Sequence, residues 1–394
     1  MISFDEATRL LVETVDPLDC ETVPLGKAPG RYLASDIVAR GDAPGRPVSA
    51  MDGYAVTRAS AKAGTWLDLC GETRPGMVDP GAVGEGQATR VFTGAPVPRG
   101  ADLVIIQEYA TRDGSRVKFA PGFGPSDHIR AAGSDFSAGT RLLAAGQRLT
   151  PQAMVAAAAA DLSEVVVGRK PKIAIIATGD ELVAPGETHA RPGSLPESAS
   201  YGVSGLSHAQ GANVVFMTRG ADQLDQLTKI AGEALDVADC VVVTGGASVG
   251  DHDLARPMFA GHDLQLAFSR IAIKPGKPVW LGLARGKPVL GLPGNPTSAM
   301  VTARLFLRPL LARLQGGEVA HELRFLPLPL VTGVDANGSR ETFVRATISN
   351  RGLVPLGNQQ SGAQAALAGA DWLIRRAPDA PASKEGELVQ ALAF

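Results

Sequence analysis

Residues 172–182 read KIAIIATGDEL. A nearly unbroken apolar run ends in Thr178-Gly179 and then meets two acids. A run this short, closed by glycine, is the pattern of a strand buried on both faces. The pattern returns at NVVFMTRG (213–220) and DCVVVTGG (239–246), with helix candidates at 199–211 and 222–236 between. Strands alternating with helices predict a parallel α/β sheet. Ligands of such sheets bind beyond the carboxyl ends of the strands. All three runs end in Gly-containing polar turns, TGDE, TRGAD and TGGASVGDHD, and a helix over 297–315 is expected to close the unit.

Outward from this unit the texture changes. Residues 3–15 carry Phe4, Ala7, Leu10 and Leu11 at helical spacing and predict an amphipathic helix. From about 20 to 150, short β-type runs such as VTRAS, TRVFTG, LVIIQEYA and RVKFA alternate with Gly/Pro turns, which predicts a β-rich region. Thr150-Pro151 reads as N-cap and N1 of a helix reaching 162. The last 75 or so residues return to short strands, as in a small β-barrel or sandwich.

At 394 residues the chain is too long for one core. A net charge of −2 argues against broad binding to nucleic acid or to an anionic membrane, while leaving room for a local basic pocket. Cys20, Cys70 and Cys240 are far apart and odd in number, which suggests neither a zinc site nor a disulfide framework. The first residues, MISFDEATRLLVETV, read as neither signal nor transit peptide, and no apolar run reaches a membrane span, so a cytoplasmic location is expected.

Several stretches have the residue types for chemistry. In IAIKPGKPVWLG (271–282), Lys274 and Lys277 flank a Pro-Gly corner. Lysine binds oxyanions as a point charge, and a turn stiffened by Pro275 and Pro278 would hold both ammonium groups at little ordering cost; an exposed turn with solvated charges is the alternative. Asp180 and Glu181 face a ligand or a Mg²⁺ ion, or else cap a helix. Thr244 to Ser248, including Gly245 and Gly246, form a Gly- and hydroxyl-rich turn able to cradle an anion. Asp251 and Asp253 lie beside it, and either, with Glu181, has the oxygen chemistry of a hard-cation site. In GLPGNPTSAM (291–300), Thr297 or Ser298 caps the following helix or presents its N-terminus to a phosphate. Asp52 in PVSAMDGYAV, Thr93 in VFTGAPVPRGAD and Asp135 in IRAAGSDF each stand in turns that are by themselves unremarkable.

Together, SAMDGYAV, FTGAPVPRGAD, ATGDEL, TGGASVGD, IKPGKP and LPGNPTS occur in the order found in MoeA-type molybdopterin molybdenumtransferases, the family to which gephyrin and plant Cnx E domains are related. The resemblance runs from about residue 3 to the C-terminus. It implies an α/β plus β fold, a multidomain elongated chain with a MogA-like parallel α/β domain over 171–318. A discontinuous N-terminal or linker domain (1–45 with 136–170), a β-rich domain (46–135) and a C-terminal β-barrel (319–394) complete it. It also implies a reaction: molybdate and Mg²⁺ act on adenylylated molybdopterin, AMP leaves, and molybdenum stays on the pterin dithiolene. The alternatives are the adenylyltransferase of the same pathway and a gephyrin-like scaffold.

By the same resemblance, Glu181 and Asp253 serve the cation or phosphate, and Lys274 and Lys277 hold phosphate or molybdate oxygens. Thr244, Gly245, Gly246 and Ser248 lie against the pterin phosphate, while Pro293, Gly294, Asn295, Pro296 and Ser298 shape the pocket floor. Asp222 matches a family acid, and Arg345 and Ser361 match residues linked to the oxyanion site. The family forms homodimers with a shared site, so that Asp52, Thr93 and Asp135 belong to a catalytic set completed across two copies. The expected partners are the pterin substrate, a second copy, and contacts with the adenylyltransferase and molybdoenzyme-maturation proteins. The chain departs from the family's Asp-Ser-Asn at Glu197-Ser198-Ala199, and Arg270 stands where lysine is common.

Overall fold

The computed structural model describes residues 1–245 and 254–394. The sequence-predicted residues Gly246, Ser248, Asp251 and Asp253 lie outside them. The chain divides into two compact units, one of Met1–Ser35, Ala145–Pro151 and Glu164–Phe394, the other of Asp36–Ala144 and Gln152–Ser163.

The first unit is built on a six-stranded sheet with spatial order Asn213–Gly220, Lys172–Thr178, Cys240–Thr244, Lys287–Leu292, Trp280–Ala284, Gln265–Phe268. The first four strands are parallel. The last two pair antiparallel, so the sheet is mixed rather than wholly parallel. The reversal is a hairpin at Arg285-Gly286, both with positive φ. Arg285 is held in that conformation by its ion pair with Asp236 and by Nη2 bonded to His262 Nδ1, each at 2.9 Å.

Helices Ala199–Ala209 and Leu224–Val237 connect the parallel strands. The expected 297–315 helix is a run from Pro296 to Leu314 interrupted by a π segment, Ala303–Leu307. Pro309 is the physical reason: it donates no N–H, and its ring would strike the carbonyl four residues back, on Leu305, which the wider turn accommodates. The cap of this run is Asn295, with Pro296 at the first helical position; Thr297 and Ser298 are buried inside it.

Helix Phe4–Thr14 has Ser3 as its N-cap, accepting the Glu6 N–H at 3.1 Å. It buries Phe4, Ala7 and Leu11 in the same core as Ile173, Ile175, Val242 and Leu290 of the sheet and Phe343, Leu373 and Leu392 of the C-terminal strands. The Phe4 ring meets Phe306 and Phe343 edge-on, with centroids 5.6 and 5.2 Å away. One core therefore fixes the C-terminal sheet against the α/β body. That second sheet runs Ile273–Lys274, Glu341–Ser349, Trp372–Arg376, Leu388–Ala393, Leu326–Pro329, with Gly352–Pro355 on the same side of Glu341–Ser349 as Ile273–Lys274, farther along the strand. A bridge between Leu330 and Leu353 brings its two ends together around Val344, Ala346, Ile374 and Ala391. The Lys274 corner is thus an edge strand of the C-terminal sheet, although its flanking chain belongs to the α/β body.

The other unit contains a six-stranded sheet ordered Leu103–Ile106, Gly53–Val56, Gln87–Val91, Trp66–Thr73, Arg116–Phe119, Ala110–Asp113. Tyr54, Val56, Leu67, Leu103, Val117 and Phe119 form its core. None of the helices among the described residues is long and apolar enough to cross a membrane.

Candidate functional site

Two neighbouring clefts of the first unit gather most of the predicted residues. The first, about 640 Å³, lies at the carboxyl ends of the parallel strands. Chain order along the sheet reverses between Lys172–Thr178 and Cys240–Thr244, which is where an α/β sheet opens a crevice. Thr178, Gly179, Glu181, Asp222, Thr244 and Gly245 line it, with Pro293, Gly294, Asn295 and Pro296 opposite. The strand ends meet there backbone to backbone. Gly245 has φ +97°, and a Cβ on it would stand 2.4 Å from the Thr178 carbonyl oxygen, so only glycine fits.

Asp180 does not cap a helix. Its N–H donates to Asp222 Oδ2 at 3.4 Å, and the Asp222 N–H donates to Asp180 Oδ1 at 3.0 Å. The two carboxylates brace adjacent strand ends. Glu181 folds back over Gly179, its Oε2 only 2.7 Å from where a Cβ would be. Among the described residues no three acids, histidines or cysteines already form a metal cage. Mg²⁺ does not require one: it uses one or two carboxylates, keeps water and takes the rest of its shell from substrate phosphates. Glu181 and Asp222, oxygen donors on one cleft wall, fit that demand.

The second cleft, about 1090 Å³, lies between the α/β body and the C-terminal sheet. Lys274 and Lys277 line it from the Pro-Gly corner, with Ser298 and Ser361. Ile271 N–H to Lys277 O (3.0 Å) and Val279 N–H to Gly276 O (3.1 Å) close that corner. Neither ammonium group is in an ion pair among the described residues. The two clefts share Pro278, Pro293, Asn295 and Gly362, so they are contiguous.

The segment after Pro355 crosses their junction. Asn295 Nδ2 donates to Ser361 Oγ at 3.3 Å, and Ser198 Oγ donates to Gln364 Oε1 at 3.3 Å. Arg345 stands behind this segment rather than in the cleft wall. It is 1% exposed, and its Nη2 donates to the carbonyls of Asn358 and Gln360 at 3.0 and 3.2 Å, while Nη1 has no partner. Burial alone holds its pKa below the ordinary guanidinium range. At the departure Glu197-Ser198-Ala199, Glu197 Oε1 accepts the Ser200 N–H at 2.8 Å and secures the helix start. The Ser198–Gln364 and Asn295–Ser361 bonds escaped the sequence reading, because partners 166 and 66 residues apart leave no local pattern.

In the other unit Thr93 donates both its N–H (2.7 Å) and its hydroxyl (2.8 Å) to Asp52 Oδ1. These bonds, the backbone one foremost, hold the Asp52 pKa below the usual carboxylate value, and the Arg90 charge adds to them. Arg90 lies 5.0 Å from the centroids of both Tyr54 and Phe92 and donates to Gln107 Oε1 at 2.6 Å. Asp135 is exposed on a separate turn and shares no hydrogen bond with this pair. Thr93→Val removes the hydroxyl bond and keeps the backbone one, so Asp52 is expected to titrate at a higher pH than in the wild type while staying below the free carboxylate. A carboxyl NMR titration of the two proteins reads this directly; coincident curves would deny that the Thr93 hydroxyl contributes to the ionisation of Asp52.

Three family descriptions tile the chain: MoeA N-terminal region (domain I and II) over residues 2–160, probable molybdopterin binding domain over 174–313, and MoeA C-terminal region (domain IV) over 327–394. A molybdopterin molybdenumtransferase of Nostoc sp. is 32% identical over 356 residues, 87% of this chain and 81% of the relative. The chain belongs to the molybdopterin molybdenumtransferase family. Within that family, molybdopterin molybdenumtransferase 2 of Mycobacterium tuberculosis is 34% identical over 326 residues, 80% of each chain. The molybdopterin biosynthesis moeA protein of Pyrococcus horikoshii OT3 superposes with a TM-score of 0.85 at 27% identity, covering 100% of both chains. The full-length likeness supports the α/β-plus-β architecture expected from the sequence.

Proposed function

We propose that this chain inserts molybdenum into adenylylated molybdopterin, using molybdate and Mg²⁺ and releasing AMP. The observation that carries the reading is the contiguity of an acid- and glycine-lined cleft with a cationic one. The first suits a phosphate-linked substrate: the bare Gly179 and Gly245 strand ends leave room for its phosphates to approach the backbone, and Glu181 and Asp222 would hold Mg²⁺ against them. The cation supplies neutralisation of the charge that builds on the linkage as it breaks. Lys274 and Lys277 face the tetrahedral molybdate dianion as point charges.

Water adds to phosphorus, the anhydride P–O bond breaks, and AMP leaves with that oxygen. The two dithiolene thiols then bind molybdenum, and their two protons leave with one molybdate oxygen as water. The dithiolene is the metal's ligand, so the protein needs no cysteine there, in agreement with Cys20 and Cys70 exposed elsewhere and Cys240 buried within its strand. In this reading the active form is a homodimer, each cleft completed by Asp52 of the partner subunit.

The test is a reconstitution of purified protein with adenylylated molybdopterin, Mg²⁺ and molybdate. AMP release that requires molybdate, with molybdenum recovered on the pterin, is the expected result. AMP release indifferent to molybdate, or tight binding without turnover, would overturn it.

A further inference from the structure

A smaller pocket opens off the acid-lined cleft. Its volume is about 190 Å³. That is below the ~300 Å³ at which sites for whole drug-sized ligands begin, and on the scale of one flat ring system. It lies between the start of helix Ala199–Ala209 and the edge strand Asn213–Gly220, and Glu197 lines both it and the cleft.

Two polar groups of its wall are left over by the fold. Ser200 is 2% exposed, and its Oγ has no hydrogen-bond partner. Glu197 is 4% exposed. Among the described residues the other buried glutamates face arginine, Glu322 meeting Arg308 and Glu341 meeting Arg375, whereas Glu197 enters no ion pair. Helix capping accounts for only half of it. Oε1 accepts the Ser200 N–H at 2.8 Å, and Oε2 accepts no bond among the described residues. A buried carboxylate oxygen and a buried hydroxyl without partners are costly to keep. A ligand that donates to the first and accepts from the second removes that cost. The family pattern has aspartate here, so the longer reach of this carboxylate is a feature of this chain.

The rest of the wall suits an aromatic ring. Pro185, Tyr201 and Met217 line it, and Tyr201 and Met217 are exposed despite their size. Phenol and thioether groups stack favourably on aromatic ligands. The planar Arg219 guanidinium is fixed beside them, its Nη1 donating to the Leu182 carbonyl at 3.0 Å.

The polar pattern selects the ring. One free carboxylate oxygen accepts one N–H, and a hydroxyl donates to a ring nitrogen. Adenine has that edge, an exocyclic amine beside N1. The 2-amino-4-oxo edge of a pterin, like that of guanine, presents two adjacent N–H donors. It calls for both carboxylate oxygens, and Oε1 is already engaged. We propose that this pocket is the base-recognition subsite for the adenine of the adenylyl group. Glu197 Oε2 accepts the amine, Ser200 Oγ donates to N1, and Tyr201 and Met217 cover the ring. The phosphate runs past Glu197 into the acid-lined cleft. The identity of the ligand rests on the proposed function; the unpartnered groups of the pocket do not.

Isothermal titration calorimetry of the full chain with AMP, IMP and GMP, in Mg²⁺ and without molybdate, tests it. The wild type should bind AMP about 10-fold more tightly than either 6-oxo nucleotide. Glu197→Gln keeps an oxygen for the Ser200 N–H and turns an amide donor towards the ring. It should weaken AMP by about 10-fold and reverse the preference in favour of IMP, whose 6-oxo group accepts that donor. Ser200→Ala should weaken AMP by about 5-fold. Its unfolding midpoint should not fall, because the hydroxyl holds no protein group. Equal binding of the three nucleotides, or AMP binding unchanged in both variants, overturns the subsite and leaves the proposed reaction standing. A wild-type preference for GMP overturns the adenine assignment and marks a pterin-type edge. No nucleotide binding at all overturns the subsite and, with it, the release of AMP from this cleft.

Discussion

Lys277→Ala is expected to fold like the wild type and to lose molybdate-dependent AMP release by about 10²-fold. Folding should be indifferent because the Lys277 side chain is exposed, enters no ion pair among the described residues, and contributes to the corner through its backbone carbonyl, which alanine keeps. Activity should not be indifferent. Two unit charges about 4 Å apart interact by about 1–4 kcal/mol between bulk-water and protein-surface dielectric, and molybdate has two charges to satisfy. A loss of about 2.7 kcal/mol corresponds to 10²-fold.

The defect should appear chiefly in the molybdate concentration dependence, since the acid-lined cleft is untouched and affinity for the adenylylated pterin should be retained. Lys277→Arg should recover only part of the activity, because a planar fork does not replace a compact ammonium group at a fixed distance. Full activity in Lys277→Ala would remove the lysine pair from the proposed site.

The lysines could be singled out from sequence because proline and glycine on either side reveal a rigid mount. The parallel strands were equally legible, since strands buried on both faces leave continuous apolar runs such as Lys172–Thr178. The antiparallel half of that sheet was harder to foresee. Its signal, an Arg-Gly pair between two apolar runs, is a weak hairpin mark, and the left-handed Arg285 depends on Asp236 and His262, which are distant in sequence.

The helix after Asn295 shows the same limit. NPTS holds three polar side chains, Asn295, Thr297 and Ser298, and burial of Thr297 and Ser298 inside the helix leaves the cap to Asn295. What a single sequence conveys is local stiffness and local apolarity. What it withholds is which distant polar atoms are left facing each other once the core has closed.

Gly276→Ala should produce a large loss of stability, and its cause can be separated into two parts. Gly276 has φ +110°, a conformation that side-chain-bearing residues adopt at a cost of about 1–3 kcal/mol. Its missing Cβ would also lie 2.2 Å from Thr302 Cγ2 and 3.1 Å from Ile273 Cδ1. Such overpacking adds about 1–3 kcal/mol. The turn cannot move away freely, because its ends are bonded at Ile271–Lys277 and Gly276–Val279 and its Ile273–Lys274 edge is paired with Glu341–Thr342.

The expected results are a lower unfolding midpoint by calorimetry and weaker molybdate-dependent turnover, since Lys274 and Lys277 sit on either side of the displaced residue. Thr302→Ser deletes the clashing methyl and keeps the hydroxyl that donates to the Ser298 and Ala299 carbonyls at 2.7 and 3.1 Å. In the Gly276→Ala background it should therefore recover about 1–2 kcal/mol, the steric part, and leave the backbone part in place, a positive coupling that a double-mutant cycle measures. Additive effects of the two changes would mean that Thr302 does not confine the turn. A Gly276→Ala protein as stable as the wild type would mean that the rigid mount assigned to the lysines does not exist.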